Sequence, residues 1–286
     1  MTALPFGRRE VLAIGLLVLG LSARARPDPG RQPWGIDYSA NTDPAMAERF
    51  GLLVLEPDFD RPLAALRRSG TRLLGYISLG EVNMARPFAG ELKDVGALGG
   101  RNPNWPEARY VDLRHDAWHA MVLDRLVPAI LERGFDGIFM DTLDNAEALE
   151  REKPSEFGGI VAGAARLVHS IRARFPRITI MMNRGYALLP DVVSQIDALL
   201  AEAMASRWSF REKRYEMTSP EEWEWQAAKL RQAKNANPAL ALMTLDYWDP
   251  ADSSTILSLY ARERSAGFQP YVATLALDRL LPEPRS

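Results

Sequence analysis

The chain contains no cysteine. Disulfides, thiolate metal sites and thiol nucleophiles are therefore excluded. Histidine is scarce as well, with three in 286 residues. Two of these, His115 and His119, flank Asp116 at i and i+4, a spacing that superficially matches the H-E-x-x-H zinc helix and would suit a metal-dependent deacetylase. His115 and Asp116 also fall where a helix should start, and there an acid simply favours the helix dipole. The third, His169, belongs to a different predicted helix, so no metal and no other cofactor are expected. Also lacking are a G-x-S-x-G elbow, a Walker loop and a G-x-G-x-x-G after a strand, which leaves serine hydrolase, NTPase and dinucleotide readings without support. Neither sign of charge dominates. A net charge of −2 offers no basic face for a nucleic-acid partner.

Long hydrophobic runs are missing too. The most apolar stretch, Val11 to Leu21, is too short to span a bilayer. Arg8 and Arg9 precede it and Ala23-Arg24-Ala25 follows with the small-x-small form of a cleavage site, so residues 1–25 are predicted to be a secretory signal peptide. The order Arg8-Arg9-Glu10-Val11-Leu12 has the form of a twin-arginine signal, which predicts export to a bacterial periplasm or beyond. If the leader stays uncleaved, it supplies the one expected membrane contact. No cysteine follows the run, which excludes a lipoprotein. Cleavage after Ala25 removes Arg8, Arg9, Arg24 and Glu10, leaves residues 26–286 and takes the net charge from −2 to −4. This mild acidity suits a neutral or cationic substrate.

What the chain does have is a strand-then-helix rhythm with no repeat or linker to divide it, the pattern of a parallel sheet. Short apolar runs stop on polar residues. Trp34 to Tyr38 ends at Asp37-Tyr38, Leu52 to Leu55 at Glu56, Leu73 to Leu79 at Gly80-Glu81, and Ile138 to Met140 at Asp141. Later, Ile178 to Met182 ends at Asn183, Ala198 to Ala201 at Glu202, and Leu240 to Leu245 at Asp246, with Tyr271 to Thr274 as the last strand. Helices are predicted over 44–50, 62–69, 116–132, 155–175, 189–196, 219–235 and 252–265. The helix at 219 carries Ser219, Pro220 and Glu222, a capping box with proline at its first position. The Gly- and Pro-rich segment 83–110 reads as a long irregular loop. Eight strands with helices between them predict an α/β fold, a (β/α)₈ TIM barrel of one domain over 26–286.

In such a barrel all strand C-termini share one rim, where active sites are built. Asp37, Glu56, Glu81, Asp141, Asn183, Glu202 and Asp246 would then converge. Tyr38, Tyr76, Tyr247 and Trp248 lie beside the same ends, with Trp105 and Trp208 in longer loops. Acids that hold hydroxyls beside rings that stack on sugar faces suit a polysaccharide or oligosaccharide partner. Glycoside hydrolysis needs two carboxyl groups flanking the scissile bond, and the candidates are Asp141, Asp144 and Glu202. The apolar approach Leu199-Leu200-Ala201 would raise the pKa of Glu202, as a general acid requires. A carboxyl separation of roughly 5 Å would indicate retention, and about 6.5–9.5 Å inversion.

The segments Gly75-Tyr76-Ile77-Ser78-Leu79-Gly80-Glu81 and Gly134-Phe135-Asp136-Gly137-Ile138-Phe139-Met140-Asp141-Thr142-Leu143-Asp144, followed by a strand ending in Glu202, resemble glycoside hydrolase family 114, the endo-α-1,4-polygalactosaminidase family. The resemblance covers essentially all of 26–286. It implies a TIM barrel and metal-free endo-cleavage, with retention, of α-1,4-linked galactosamine- or N-acetylgalactosamine-containing exopolysaccharide. Asp141 would be the nucleophile and Glu202 the acid/base, with Asp37, Tyr38, Tyr76, Glu81 and Asp144 shaping sugar subsites. Asp144 fits the nucleophile's motif equally well. Asn183, Asp246, Tyr247 and Trp248 complete the expected substrate-binding set. The rival reading is a catalytically silent carbohydrate-binding barrel of an exopolysaccharide system.

Overall fold

The fold was taken from a computed structural model that describes residues 33–285 apart from 40, 59–61, 68 and 69. The predicted leader, residues 1–25, lies outside the described residues. The chain opens with β1 (Trp34–Asp37), α1 (Pro44–Ala47), β2 (Leu52–Leu55), a 3-10 turn (Leu63–Arg67) and β3 (Arg72–Ser78). Every residue of β1 and β2 is buried, as expected for parallel strands covered on both faces. Next come β4 (Glu81–Asn83), α2 (Ala89–Asp94), β5 (Leu98–Arg101) and β6 (Ala108–Val111). These strands pair antiparallel in the order β4-β6-β5, so much of the segment expected to be irregular is a small sheet of its own.

The helix predicted over 116–132 is continuous but not uniform. α3 (Asp116–Met121) and α4 (Val127–Glu132) flank a π-helical turn over Val122–Leu126. Pro128 has no N–H to give to the preceding turn, and a wider turn upstream absorbs the loss. β7 (Gly137–Asp141) follows, then α5 (Asp144–Glu152), α6 (Pro154–Phe157) and α7 (Ile160–Arg174). The single helix predicted over 155–175 is thus broken at Gly158-Gly159, where Gly159 takes a φ of 83° that L side chains rarely adopt. β8 (Thr179–Asn183), α8 (Leu189–Val192) and β9 (Ala198–Glu202) complete the middle of the chain.

A hairpin of β10 (Ser206–Ser209) and β11 (Arg214–Met217) leads to α9 (Pro220–Ala236), β12 (Ala241–Tyr247), α10 (Ser253–Ser265) and β13 (Gln269–Ala273). The capping box at α9 is formed by Ser219 and Glu222, with Pro220 at the start. Eight strands lie side by side in the order β1-β2-β3-β7-β8-β9-β12-β13, and the pairings from β1 through to β13 are parallel. The ends of this sheet meet, because Trp34 Nε1 donates to the Gln269 carbonyl at 2.9 Å and Tyr38 N to the Leu277 carbonyl at 2.7 Å. The result is a nearly closed (β/α)₈ barrel. No helix among the described residues is long and apolar enough to cross a membrane.

Candidate active site

Side chains alternate between the two faces of a strand, so at each strand end one residue points into the barrel mouth and its neighbour points out toward the helices. Ladder pairing sets the inward members level. Ser78 lies beside Asp141, Asn183 beside Leu200 and Glu202 beside Leu245. Tyr38, Tyr76, Ser78, Asp141, Asn183, Glu202 and Tyr247 all line one cavity of about 820 Å³. Glu81 and Asp144, just past the ends of β3 and β7, line it too.

At its floor an amide bridges two carboxylates. Asn183 Nδ2 donates to Asp141 Oδ1 at 2.9 Å and to Glu202 Oε2 at 2.6 Å. Distances of 2.9 and 2.6 Å from one nitrogen cap the separation of those two oxygens at 5.5 Å. Asp141 also accepts from Thr142 N at 2.8 Å and from the Tyr76 hydroxyl at 3.1 Å. Glu202 accepts from the Tyr247 hydroxyl at 2.6 Å. Burial, and then the charge of Glu202, push Asp141 up to about 7, against the pull of its Asn183 hydrogen bond. Burial raises Asp144 as well, with Arg184 pulling it back, across a 3.7 Å ion pair. Tyr38, Tyr76 and Tyr247 are all pushed well above the ordinary phenol value, by burial first and by neighbouring charge second. They remain protonated donors.

The residues that follow the three central side chains share a backbone state. Thr142, Arg184 and Ala203 have φ of 64°, 49° and 53°, left-handed values that cost an L residue roughly 1–2 kcal/mol. Each turns the chain sharply away once the functional side chain has been delivered, a use of strain common at active sites. Thr142 is anchored by its hydroxyl, which accepts from Gly80 N at 2.8 Å and meets Ser78 Oγ at 2.9 Å. The approach is so close that a Cβ on Gly80 would lie 2.0 Å from the Thr142 carbonyl. Glu81 is held at one side by Asn102 and Asn145, at 2.7 and 3.3 Å. Burial still raises its pKa.

Three expected site residues do not reach the cavity. Asp37, one residue before Tyr38, faces outward and accepts from Ser39 N at 2.8 Å and the Thr42 hydroxyl at 2.7 Å. Asp246, one residue before Tyr247, is fully buried behind β12 and accepts from Ala205 N and Ser206 N, each at 2.7 Å. Trp248 packs against the outer layer and donates to Asp252 Oδ2 at 3.1 Å. In all three the strand end was identified but the face was not. His115 is occupied as the cap of α3, its Nδ1 accepting from Ala117 N at 3.2 Å, and His119 Nε2 lies 2.8 Å from the Leu113 carbonyl. No group of three or more His, Cys, Asp or Glu among the described residues is arranged to hold a metal.

Other cavity residues went unnoticed. Arg86 pairs with Glu56 at 3.0 Å and with Asp58 at 2.5 Å, and Asn102, Asn145 and Arg184 also line the wall. Ser78 could have been found from the period-two spacing to Tyr76. Seven carboxylates line the cavity (Glu56, Asp58, Glu81, Glu107, Asp141, Asp144 and Glu202), against the three guanidinium groups of Arg86, Arg133 and Arg184. The wall is therefore acidic.

The model of glycoside-hydrolase family GH114 matches residues 20–285. The chain belongs to that family. The GH114 chain is similar to the glycoside hydrolase domain of PelA from Pseudomonas aeruginosa, at 26% identity and a TM-score of 0.78, over 89% of this chain and 99% of that one. It shares its fold with Aspergillus fumigatus Ega3, solved with galactosamine, at 18% identity and a TM-score of 0.65, covering 90% and 96% of the two chains. An uncharacterized protein of Deinococcus radiodurans is 26% identical over 271 residues, 87% of this chain and 82% of its own. Family membership makes the protein a glycoside hydrolase with a polysaccharide substrate, and the carboxylate pair on the rim is the chemistry such an enzyme needs.

Proposed function

We propose that this GH114 hydrolase is an exported, retaining endo-glycosidase that cleaves α-1,4-linked galactosamine- or N-acetylgalactosamine-containing exopolysaccharide. The observation that carries the reading is the single Asn183 amide nitrogen that bonds both Asp141 Oδ1 and Glu202 Oε2 and so holds those two oxygens within 5.5 Å of each other. So close an oxygen pair favours the short carboxyl spacing of retaining enzymes, about 5–5.5 Å, over the wider spacing of inverting ones, about 6.5–9.5 Å. Asp141 attacks the anomeric carbon while Glu202 gives its proton to the departing glycosidic oxygen. The ionised Glu202 then takes a proton from water, whose oxygen displaces Asp141 from the same carbon, and both side chains return to their starting states.

The pair must hold one proton between them, as two close carboxyls do. Once that proton sits on Glu202, the charge opposing ionisation of Asp141 is gone. Three donors, from Asn183, Thr142 and Tyr76, then favour the Asp141 anion. Asp144 has a different setting, beside Arg184, which favours a substrate-holding role over attack. Tyr38, Tyr76, Glu81, Asp144, Asn183 and Tyr247 are assigned to sugar contact. The acidic wall favours a cationic amine on the sugar, and the complex of Ega3 with galactosamine supports that class. Export rests on the leader-like residues 1–25, and a mature chain beginning at Arg26 would verify it.

The test is incubation with an α-1,4-linked galactosamine polymer, following new reducing ends and the anomeric NMR signal of the first product. The reading predicts shortened chains, an α anomer formed first, and release slowed about 10³-fold by Glu202→Gln. A β anomer formed first would make the enzyme inverting. Polymer that is bound yet left intact would favour the silent carbohydrate-binding barrel.

A further inference from the structure

Two excursions leave the barrel rim and meet above it. The first follows β3 and contains the β4-β6-β5 sheet, with Trp105 on the turn between β5 and β6. The second follows β9 and is the β10-β11 hairpin, with Phe210 at its tip. The rings of Trp105 and Phe210 stand 5.9 Å apart, edge to face at 89°. Both remain about half open to solvent, at 47% and 53% exposure. Isolated exposed apolar side chains are ordinary, but large ones gathered at a polar-rimmed cavity mark a binding site.

Their roots give the contact its meaning. β3 and β9 are the third and sixth strands of the barrel, with β7 and β8 between them, and those two strands carry Asp141 and Asn183. Trp105 also lines the cavity that holds Asp141 and Glu202. Both excursions are firmly based. Asp246 binds the backbone at the foot of the hairpin, and Trp118 Nε1 donates to the Leu79 carbonyl at 3.0 Å at the foot of the other. At its tip Trp105 is set by a turn in which Ala108 N donates to its carbonyl at 2.8 Å.

We propose that Trp105 and Phe210 form an aromatic clasp over the mouth, an outer subsite for a hexosamine ring of the same glycan, away from the bond being cut. This rests on the glycan-cleaving reading above. A pyranose offers an apolar C–H face to an aromatic ring, and an amine on that sugar adds cation–π attraction to the indole. Continuity with the acidic cavity commits the occupant: a chain lying across Asp141 and Glu202 extends past Trp105. The clasp serves long substrates, because a short oligomer that fills the floor does not reach it.

The experiment compares Trp105→Ala, Phe210→Ala and the double variant with the parent on polymer and on the shortest oligomer that is cleaved. Thermal melting of each variant checks folding, and Trp105→Tyr serves as the conservative control. The clasp predicts KM on polymer rising about tenfold, with kcat changing less than about threefold and a smaller KM penalty on the short oligomer. The double variant should cost little more than the worse single, because the two rings act as a unit, and Trp105→Tyr should recover most of the loss. Equal penalties on both lengths, or none on polymer, would overturn it. Polymer binding measured in a Glu202→Gln background separates the two levels of the account. If that protein binds polymer and the clasp variants bind it as tightly, the clasp alone is wrong. If that protein does not bind polymer at all, the galactosaminoglycan reading falls and the clasp falls with it.

Discussion

Asp141 and Asp246 are the same side chain at the same kind of place, the C-terminal end of a barrel strand. Burial pushes both upward, to about 7 and about 6. Yet Asp141 opens on the cavity among Asn183, Tyr76 and Glu202, whereas Asp246 is sealed behind β12, holding the foot of a hairpin. The difference is one of parity. A strand presents its two faces alternately, so a one-residue step exchanges a position in the mouth for one in the layer beneath the helices. Inward acids can do chemistry, while outward ones brace the loops that surround it.

The comparison breaks most visibly if the inward pair is neutralised. Asp141→Asn and Glu202→Gln should each lower kcat/KM about 10³-fold, with a melting temperature equal to or above the parent's, because a buried repulsion has been removed. Next in size is the outward acid. Asp246→Ala strands the N–H groups of Ala205 and Ser206, and should cost about 2–4 kcal/mol in denaturant unfolding. Asp246→Asn keeps an acceptor and should cost less. If Asp246→Ala instead abolished turnover in a fully folded protein, the division of labour would be wrong. Tyr247→Phe removes one donor from Glu202 and should lower kcat/KM about 10- to 100-fold with little loss of stability, the range for a hydrogen bond to a charged group.

A smaller effect joins the two faces through pH. Asp141 rises from 3.8 to about 7, Asp246 from 3.8 to about 6, and Glu263 from 4.5 to about 7. A carboxyl whose folded value is raised binds its proton more tightly in the folded state. Its contribution is complete below the unfolded value and is lost as pH rises through the folded one. The melting temperature should therefore fall between about pH 4 and 7 as pH increases. Glu263→Gln, on the buried face of α10, should flatten that slope in a calorimetric series without removing it. The smallest effect is expected at Ala203→Gly. Relief of left-handed strain and the added chain entropy of glycine nearly cancel, leaving a gain of about 0.5 kcal/mol.

Much of this was legible in the sequence. The barrel strands are short, nearly continuous apolar runs that stop on polar residues, as parallel strands covered on both faces do. Asp141 and Glu202 stood out as carboxylates closing such runs. Face was harder to read. Asp37 with Tyr38 and Asp246 with Tyr247 are adjacent pairs, and only the register decides which member turns inward. The sheet over 81–111 was hidden because β5 is Leu98-Gly-Gly-Arg, with almost no apolar alternation, and α5 because its residues are mostly polar. The left-handed turns at Thr142, Arg184 and Ala203 left no trace, since none of them is glycine. Asn183 was identified as a polar strand end, but its bridging position needs β7, β8 and β9 assembled side by side.

The most direct test is to trap the covalent intermediate with a mechanism-based fluorosugar of the galactosamine series and map the labelled peptide by mass spectrometry. The account predicts one sugar on Asp141, retained longer in Glu202→Gln because water is no longer activated. A label on Asp144 would contradict it, as would an enzyme that cuts polymer with inversion and never becomes labelled.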